Sequence, residues 1–257
     1  MIQVPFQIPS RSLSLAFVAM LFVAPLAQSQ TNNAGAQSVP AKKTPWFVDP
    51  ATLALANLLP SPPPAGSAAA RNDLAEVHRV EKARTPAEVK AAQYDDTHED
   101  IFIFAGVLGD TFNAGTLPNT AKLSAHLRND AGIIDNPLKE LFGRPRPYNF
   151  DPTLHPVCET NKENSYPSGH SINGYLYAFT LAEMVPEQKD AILRRADEYA
   201  FHRVICGSHY VTDTQASRQL ASFVFGYLLA NARFQEEIGV AARETRQQLH
   251  LPPLRSK

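Results

Sequence analysis

Apolar and polar positions alternate with a helical period along most of this chain. Ala68 to Glu81 is rich in Ala, Leu, Glu and Arg and reads as a helix. Thr85-Pro86-Ala87-Glu88 supplies an N-cap, a first-turn proline and a capping-box glutamate, opening a helix that runs to about Tyr94. Ala121 to Asp135 is a further amphipathic stretch. Ser171 to Met184 carries Ile172, Tyr175, Leu176, Phe179 and Ala182 at helical spacing. From Pro186 to Tyr199 one face bears Ile192, Leu193, Ala196 and Tyr199. Thr214 to Gln235 places Leu220, Phe223, Val224, Tyr227 and Leu228 on one stripe, and Ile238 to Leu249 forms a last helix before Pro252-Pro253. No strand-like alternation of convincing length and no internal repeat occurs, so the fold class is all-α, a single-domain helical bundle.

The N-terminus follows another pattern. Arg11 precedes an apolar run from Leu13 to Leu26, broken only by Ser14 and Pro25, and Ala27-Gln28-Ser29 places small residues where a signal peptidase cuts. Residues 1–29 therefore read as a secretory signal cleaved near Ser29. The run is shorter than the roughly 18–20 residues a membrane span needs, and no later stretch is long and apolar enough to cross a bilayer. Residues 30–66 read as an extended Pro/Ala-rich leader: they have no pattern to about residue 45, and Pro60-Ser61-Pro62-Pro63-Pro64 admits neither helix nor central strand. Residues 67–257 form the helical domain. The expected location is the periplasm or the exterior.

A formal net charge of −1 argues against a nucleic-acid polymer as partner but leaves a small anionic substrate open. Export makes the two cysteines, Cys158 and Cys206, a candidate disulfide, with two buried thiols as the other reading. Neither cysteine has neighbours that would activate it. Asp95, Asp96, His98, Glu99 and Asp100 form an acidic cluster, read as solvated helix termini and not as a metal site.

Three clusters carry candidate chemistry. Lys139 to Pro147 holds Lys139, Arg144 and Arg146, with Pro145 and Pro147 stiffening the backbone. Arginine so held suits bidentate phosphate recognition, although a solvated basic turn looks the same. Pro167-Ser168-Gly169-His170 is a turn opening a helix, where backbone N–H groups favour an anion and His170 can pass a proton. In the third cluster His209 and Asp213 are four apart beside Arg203. A carboxylate on one imidazole nitrogen makes the other a better nucleophile or base, and a plain structural hydrogen bond is the alternative.

In order and spacing, Lys139-x6-Arg146-Pro147, Pro167-Ser168-Gly169-His170 and Arg203-x5-His209-x3-Asp213 resemble the three-part signature of the type-2 phosphatidic acid phosphatase superfamily, which includes the haloperoxidases. The exported chain looks like its bacterial class A non-specific acid phosphatases. Leu58 to Pro64 resembles their proline-rich leader, and Val204-Ile205-Cys206-Gly207 matches their local wording.

The resemblance implies that Lys139, Arg146 and Arg203 hold phosphoryl oxygens, helped by Ser168 and the Gly169 N–H. His209 attacks phosphorus with Asp213 orienting it, and His170 protonates the leaving alcohol. No metal and no other cofactor is implied, the substrates are small organic phosphate monoesters, and homo-oligomers are left open. The family usually has serine where this chain has His202, which bears on rate and pH range, and Arg144 is read as a supporting cation. Three further readings stand beside this one: a vanadium-dependent haloperoxidase, a lipid phosphatase, whose membrane members carry several spans where this sequence shows none after its signal, and a non-catalytic phosphate binder.

Overall fold

The stretch after Pro167-Ser168 folds as the helix Gly169–Met184, and most of its side chains are buried on every face, including Ile172, Tyr175, Leu176, Leu181 and Met184. A helix apolar all round belongs at the centre of a bundle, and this one does. The computed structural model describes residues 44–49 and 53–254, within one compact unit of residues 42–257. The signal expected over residues 1–29 lies outside the described residues.

Every regular element among the described residues is helical. The α-helices run α1 (Ala68–Ala83), α2 (Pro86–Thr97), α3 (Ala105–Leu108), α4 (Pro118–Phe142), α5 (Pro147–Phe150), α6 (Gly169–Met184), α7 (Lys189–Ile205), α8 (Val211–Leu229) and α9 (Ala232–Gln248). Helices α7 and α8 cover α6 most extensively, with α4 and α9 completing its surroundings. Leu127, Ile134 and Leu138 of α4, Ile192 and Tyr199 of α7, Leu220 and Val224 of α8 and Phe234 of α9 share one core. A smaller core of Val77, Val80, Ala92, Leu154, Val204 and Ile205 joins α1 and α2 to the end of α7. Thr85 and Glu88 form the expected capping box at the start of α2.

Several boundaries differ from the sequence expectation, the end of α4 and the junction of α8 with α9 among them. Helix α4 does not stop at Asp135 but continues through Pro137 to Phe142. Proline removes one N–H from the ladder, yet Leu138 is buried and Lys139 pairs with Asp135 one turn back, at 2.7 Å, so tertiary contacts hold the extra turn. The helix ends at Gly143, whose φ of 57° is the left-handed conformation that glycine adopts at least cost. The stripe expected from Thr214 to Gln235 is two helices, because Asn231 caps the second by accepting the Phe234 N–H at 3.0 Å. Phe223 and Tyr227 are exposed there, while Leu220, Val224 and Leu228 are buried.

Part of the expected leader packs onto the bundle. Asp130 of α4 accepts the N–H groups of Trp46, Phe47 and Val48 at 2.7, 2.7 and 2.9 Å, and Phe47, Val48, Leu55 and Leu59 are buried. Residues 60–64 are irregular, as their prolines require.

Candidate active site

The three sequence clusters meet at the N-terminus of α6. Ser168 is its N-cap, with its Oγ accepting the Ser171 N–H. Helix α8 fixes that turn from behind, because Ser217 Oγ lies 2.8 Å from the Ser168 N–H and 3.0 Å from the Ser168 carbonyl oxygen. Gly169 follows because nothing larger fits: a Cβ there would come within 2.6 Å of Asp135 Oδ2. Lys139 arrives from the last turn of α4, Arg146 from the stiff link before α5, Arg203 from the end of α7, and His209 from the turn before α8.

His209 is buried to 1% exposure. Its Nδ1 faces Ser165 Oγ at 3.3 Å and Asp213 Oδ2 at 3.4 Å, and its Nε2 lies 3.0 Å from Arg146 Nη1. A guanidinium only donates, so Nε2 is the accepting nitrogen and the proton sits on Nδ1, towards the carboxylate. That tautomer is the one a nitrogen nucleophile needs. Burial and the charges of Arg146, Arg203 and Lys139 hold the His209 pKa well below the usual histidine value, which keeps Nε2 unprotonated in mild acid.

Asp213 is enclosed completely. Arg144 Nη1 donates to its Oδ1 at 2.6 Å, and Ser165 Oγ and the Tyr210 N–H donate to its Oδ2 at 2.6 and 3.0 Å. Burial pushes its carboxyl up to about 6, while Arg144, Ser165 and Tyr210 favour the carboxylate. Arg144 also donates to Asp73 Oδ2 of α1 at 2.6 Å and lies over the Tyr210 ring at 3.8 Å. It is thus a buried strut under Asp213, where the sequence suggested only a supporting cation.

His170 stands on the open side of the site. Its Nε2 lies 3.1 Å from the Asp96 carbonyl oxygen, an acceptor only, so Nε2 carries the proton. Glu99 Oε1 is 3.5 Å away. Burial, then Arg203, with Lys139 and Arg146 adding to it, holds the His170 pKa well below its ordinary value.

A pocket of about 380 Å³ opens here, lined among others by Lys139, Gly169, His170, Arg203, Asp96 and Asp135. His209, Arg146, Ser168 and Asp213 lie buried beneath it. Each of the three cations at the site has a carboxylate beside it. Lys139 pairs with Asp135 at 2.7 Å, Glu163 lies 3.4 Å from Lys139 and 3.6 Å from Arg146, and Arg203 Nη1 pairs with Asp96. Three buried polar atoms of residues lining this pocket nevertheless have no partner among the described residues, Arg203 Nε, Asp135 Oδ1 and Asn173 Oδ1.

The acidic cluster at the end of α2 is only in part the solvated helix terminus its sequence suggested: His98 and Asp100 are exposed, with Asp100 accepting the Phe102 N–H, while the other three members turn inward. Asp95 is buried and pairs with Arg195 and His202, each at 2.6 Å. Asp96 and Glu99 face Arg203 and His170. His202 spends its Nδ1 on Asp95, fastening α7 to α2. Cys158 and Cys206 are joined in a disulfide, which clips the loop before α6 to the end of α7. Closing a loop of that length stabilises by about 4 kcal/mol in the chain-entropy account. Sequence reasoning missed Asp73, Ser165 and Ser217. Asp73 alone had a legible signal, since it sits at helical spacing from buried Val77 and Val80 and so occupies an apolar stripe.

This arrangement sets two histidines, three cations and a helix N-terminus around one pocket of a helical bundle, a setting that suits an oxyanion. Residues 125–237 match the PAP2 superfamily. The non-specific acid phosphatase of Providencia stuartii is 32% identical over 203 residues, covering 73% of this chain and 79% of that protein. That of Salmonella typhimurium is 32% identical over 149 residues, 55% of this chain and 59% of the other. Among solved structures, a bacterial vanadium-dependent iodoperoxidase shares the fold with a TM-score of 0.56 at 22% identity, over 73% of this chain and 55% of its own. The chain belongs to the PAP2 superfamily, and within it to the acid phosphatases.

Proposed function

We propose that this chain is an exported, metal-independent acid phosphatase that cleaves small phosphate monoesters through a phosphohistidine. The phosphoryl group enters the pocket at the N-terminus of α6. Arg203 Nε–H, buried with no partner among the described residues, donates to one of its oxygens, and Lys139 and Arg146 turn from their carboxylates to the others. His209 Nε2 attacks phosphorus and the P–O bond to the alcohol breaks. The bound phosphoryl anion draws a second proton onto His170, the departing oxygen takes that proton and leaves His170 neutral, and Asp213 stabilises the imidazolium form of His209. A water then loses a proton to His170 and attacks the phosphorus, releasing phosphate and restoring both histidines. An alcohol in place of that water would be phosphorylated, which gives phosphotransfer as a side activity. The three cations neutralise phosphoryl charge in a low-dielectric site, where such neutralisation counts most.

The observation that carries this reading is the tautomer of His209, with Nε2 accepting from Arg146 and Nδ1 turned to Asp213. The test is release of p-nitrophenol from p-nitrophenyl phosphate between pH 4 and 8 in EDTA, with rapid acid-free quenching and mass spectrometry of the protein. Turnover with a transient gain of one phosphoryl group at His209 is expected. Turnover abolished by EDTA, or a phosphoryl group on another residue, would overturn the mechanism.

A further inference from the structure

Asp135 is a carboxylic acid in the anion pocket itself, where an ionised group should weaken phosphate binding. Its side chain is 7% exposed. One oxygen, Oδ2, pairs with Lys139 Nζ at 2.7 Å and packs against Gly169, and the other, Oδ1, is buried with no partner among the described residues. A phosphoryl oxygen is only an acceptor, and so is a carboxylate oxygen. An anion drawn to Lys139 therefore meets a charged competitor for that ammonium or, when the carboxyl carries a proton, a neutral acid whose O–H can turn to it.

We propose that Asp135 is a proton-gated positioning residue: the pocket takes up a tetrahedral oxyanion together with one proton on Asp135, so that anion binding strengthens as pH falls. Protonation does two things at once. It removes a negative charge next to the incoming anion, and it frees Lys139 from its closest counter-ion. The inference deepens the phosphatase reading and rests on it, since it supplies a local origin for an acidic working range.

The charges around Asp135 are compatible with such a gate. On its own helix stands Lys139, which favours the carboxylate. Glu163, from the loop before α6, opposes ionisation, and Arg146, from the link before α5, favours it. His170 of α6 and Arg203 of α7 face the same pocket, with Asp96 and Glu99 across it. Burial is the largest influence and raises the Asp135 carboxyl above its ordinary range despite Lys139. The sign follows directly. A raised pKa leaves a population of protonated Asp135 in mild acid, and an arriving anion raises it further, so binding draws in a proton.

Sulfate is a suitable probe because it remains a dianion throughout pH 4.5 to 7.5, leaving any pH dependence to the protein. Its binding to the full chain is measured by calorimetry in buffers of different ionisation heat, beside p-nitrophenyl phosphate turnover by the same preparation. Uptake approaching one proton per sulfate near pH 7 is expected, with affinity falling up to about tenfold per pH unit above the Asp135 pKa. Asp135→Asn presents an amide donor at every pH. It should bind sulfate at pH 7 at least about tenfold tighter than wild type, with a flattened pH profile of KM.

A wild type that takes up no proton, or an Asp135→Asn variant that keeps the wild-type slope, overturns the gate. His170→Asn serves as the parallel arm: if it removes the slope, the proton goes to the imidazole and the gate is overturned even where Asp135→Asn fails to fold. Intact turnover with pH-independent sulfate binding sinks the gate alone. Proton-linked sulfate binding without turnover keeps the gate and sinks the hydrolase.

Discussion

The two histidines of this site stand in opposite surroundings. His209 rests on a floor with almost no exposure, held by Asp213, which is in turn held by Arg144, Ser165 and the Tyr210 N–H. His170 looks into an open pocket where Asp96, Glu99, Asp135 and Glu163 crowd the cations. The difference matches two kinds of work. A nucleophile must keep one tautomer and one orientation through the reaction, which a dry network with no exchangeable partner secures. An acid that later becomes a base must change protonation state each turnover, which needs neighbours able to rearrange. The floor is built for constancy and the mouth for exchange.

Removing the proposed nucleophile should break the comparison most completely. His209→Ala is expected to lower kcat by about 10⁴-fold or more, by analogy with loss of a triad nucleophile, and to abolish the trapped phosphoryl-protein while leaving sulfate binding measurable. A residual rate within about tenfold of wild type would mean that phosphorus is attacked by something else.

His170 should matter less, and by an amount that depends on the leaving group. General acid catalysis contributes about 10²–10⁴-fold, so His170→Asn should lose most on an alkyl phosphate and least on p-nitrophenyl phosphate, whose leaving group needs little help. Equal losses on both esters would assign His170 to binding instead. The same variant tests its titration. The folded-state pKa of His170 lies well below its unfolded value, so between the two the unfolded chain binds the extra proton and acidification favours unfolding. Stability is lost as pH falls below about 6.5, by up to about 1.4 kcal/mol per pH unit from this group. The melting temperature of wild type should therefore fall more steeply from pH 6.5 to 5 than that of His170→Asn.

The strut beneath the floor gives the next effect. Arg144→Ala leaves Asp213 and Asp73 buried without their shared counter-ion. Breaking a buried pair from one side costs about 3–5 kcal/mol, so a large drop in denaturation midpoint should accompany the loss of kcat. Arg144→Lys should recover part of the stability and less of the rate, since one ammonium cannot hold two carboxylates in the same geometry. An Arg144→Ala variant as stable as wild type would show that the network is not under strain of charge at all.

How much of this was legible beforehand follows from the reach of each interaction. The three motifs could be read because their chemistry lies within a few residues: Ser168 caps the helix that Gly169 and His170 begin, and Asp213 lies one turn from His209. The central helix was legible from its apolar periodicity. Pairs that span the chain were not. Arg144 and Asp73 are 71 residues apart, and His202 and Asp95 are 107 apart, so no local pattern records them. For the same reason the inward members of the Asp95–Asp100 cluster could not be told from its exposed helix ends, His98 and Asp100: Asp96 and Glu99 line the pocket and Asp95 is buried against His202. Helix α4 ran past Pro137 because buried Leu138 and the Lys139–Asp135 pair outweigh one missing hydrogen bond, a balance that propensity alone cannot strike.

Glu163 tests the mouth most gently. Its side chain is 61% exposed, and it lies 3.4 Å from Lys139 and 3.6 Å from Arg146, so it competes with substrate for both cations. Exposed pairs are worth up to about 1 kcal/mol, which limits the effect. Glu163→Gln should lower KM by about two- to fivefold at low ionic strength, leave kcat near wild type, and lose this advantage in 0.5 M salt as screening takes over. Because the carboxylate stands in solvent and not between buried groups, the slope of sulfate affinity against pH should survive the substitution. A slope lost in Glu163→Gln and retained in Asp135→Asn would place the exchangeable proton at the rim of the pocket, and the contrast between floor and mouth would have to be redrawn around Glu163.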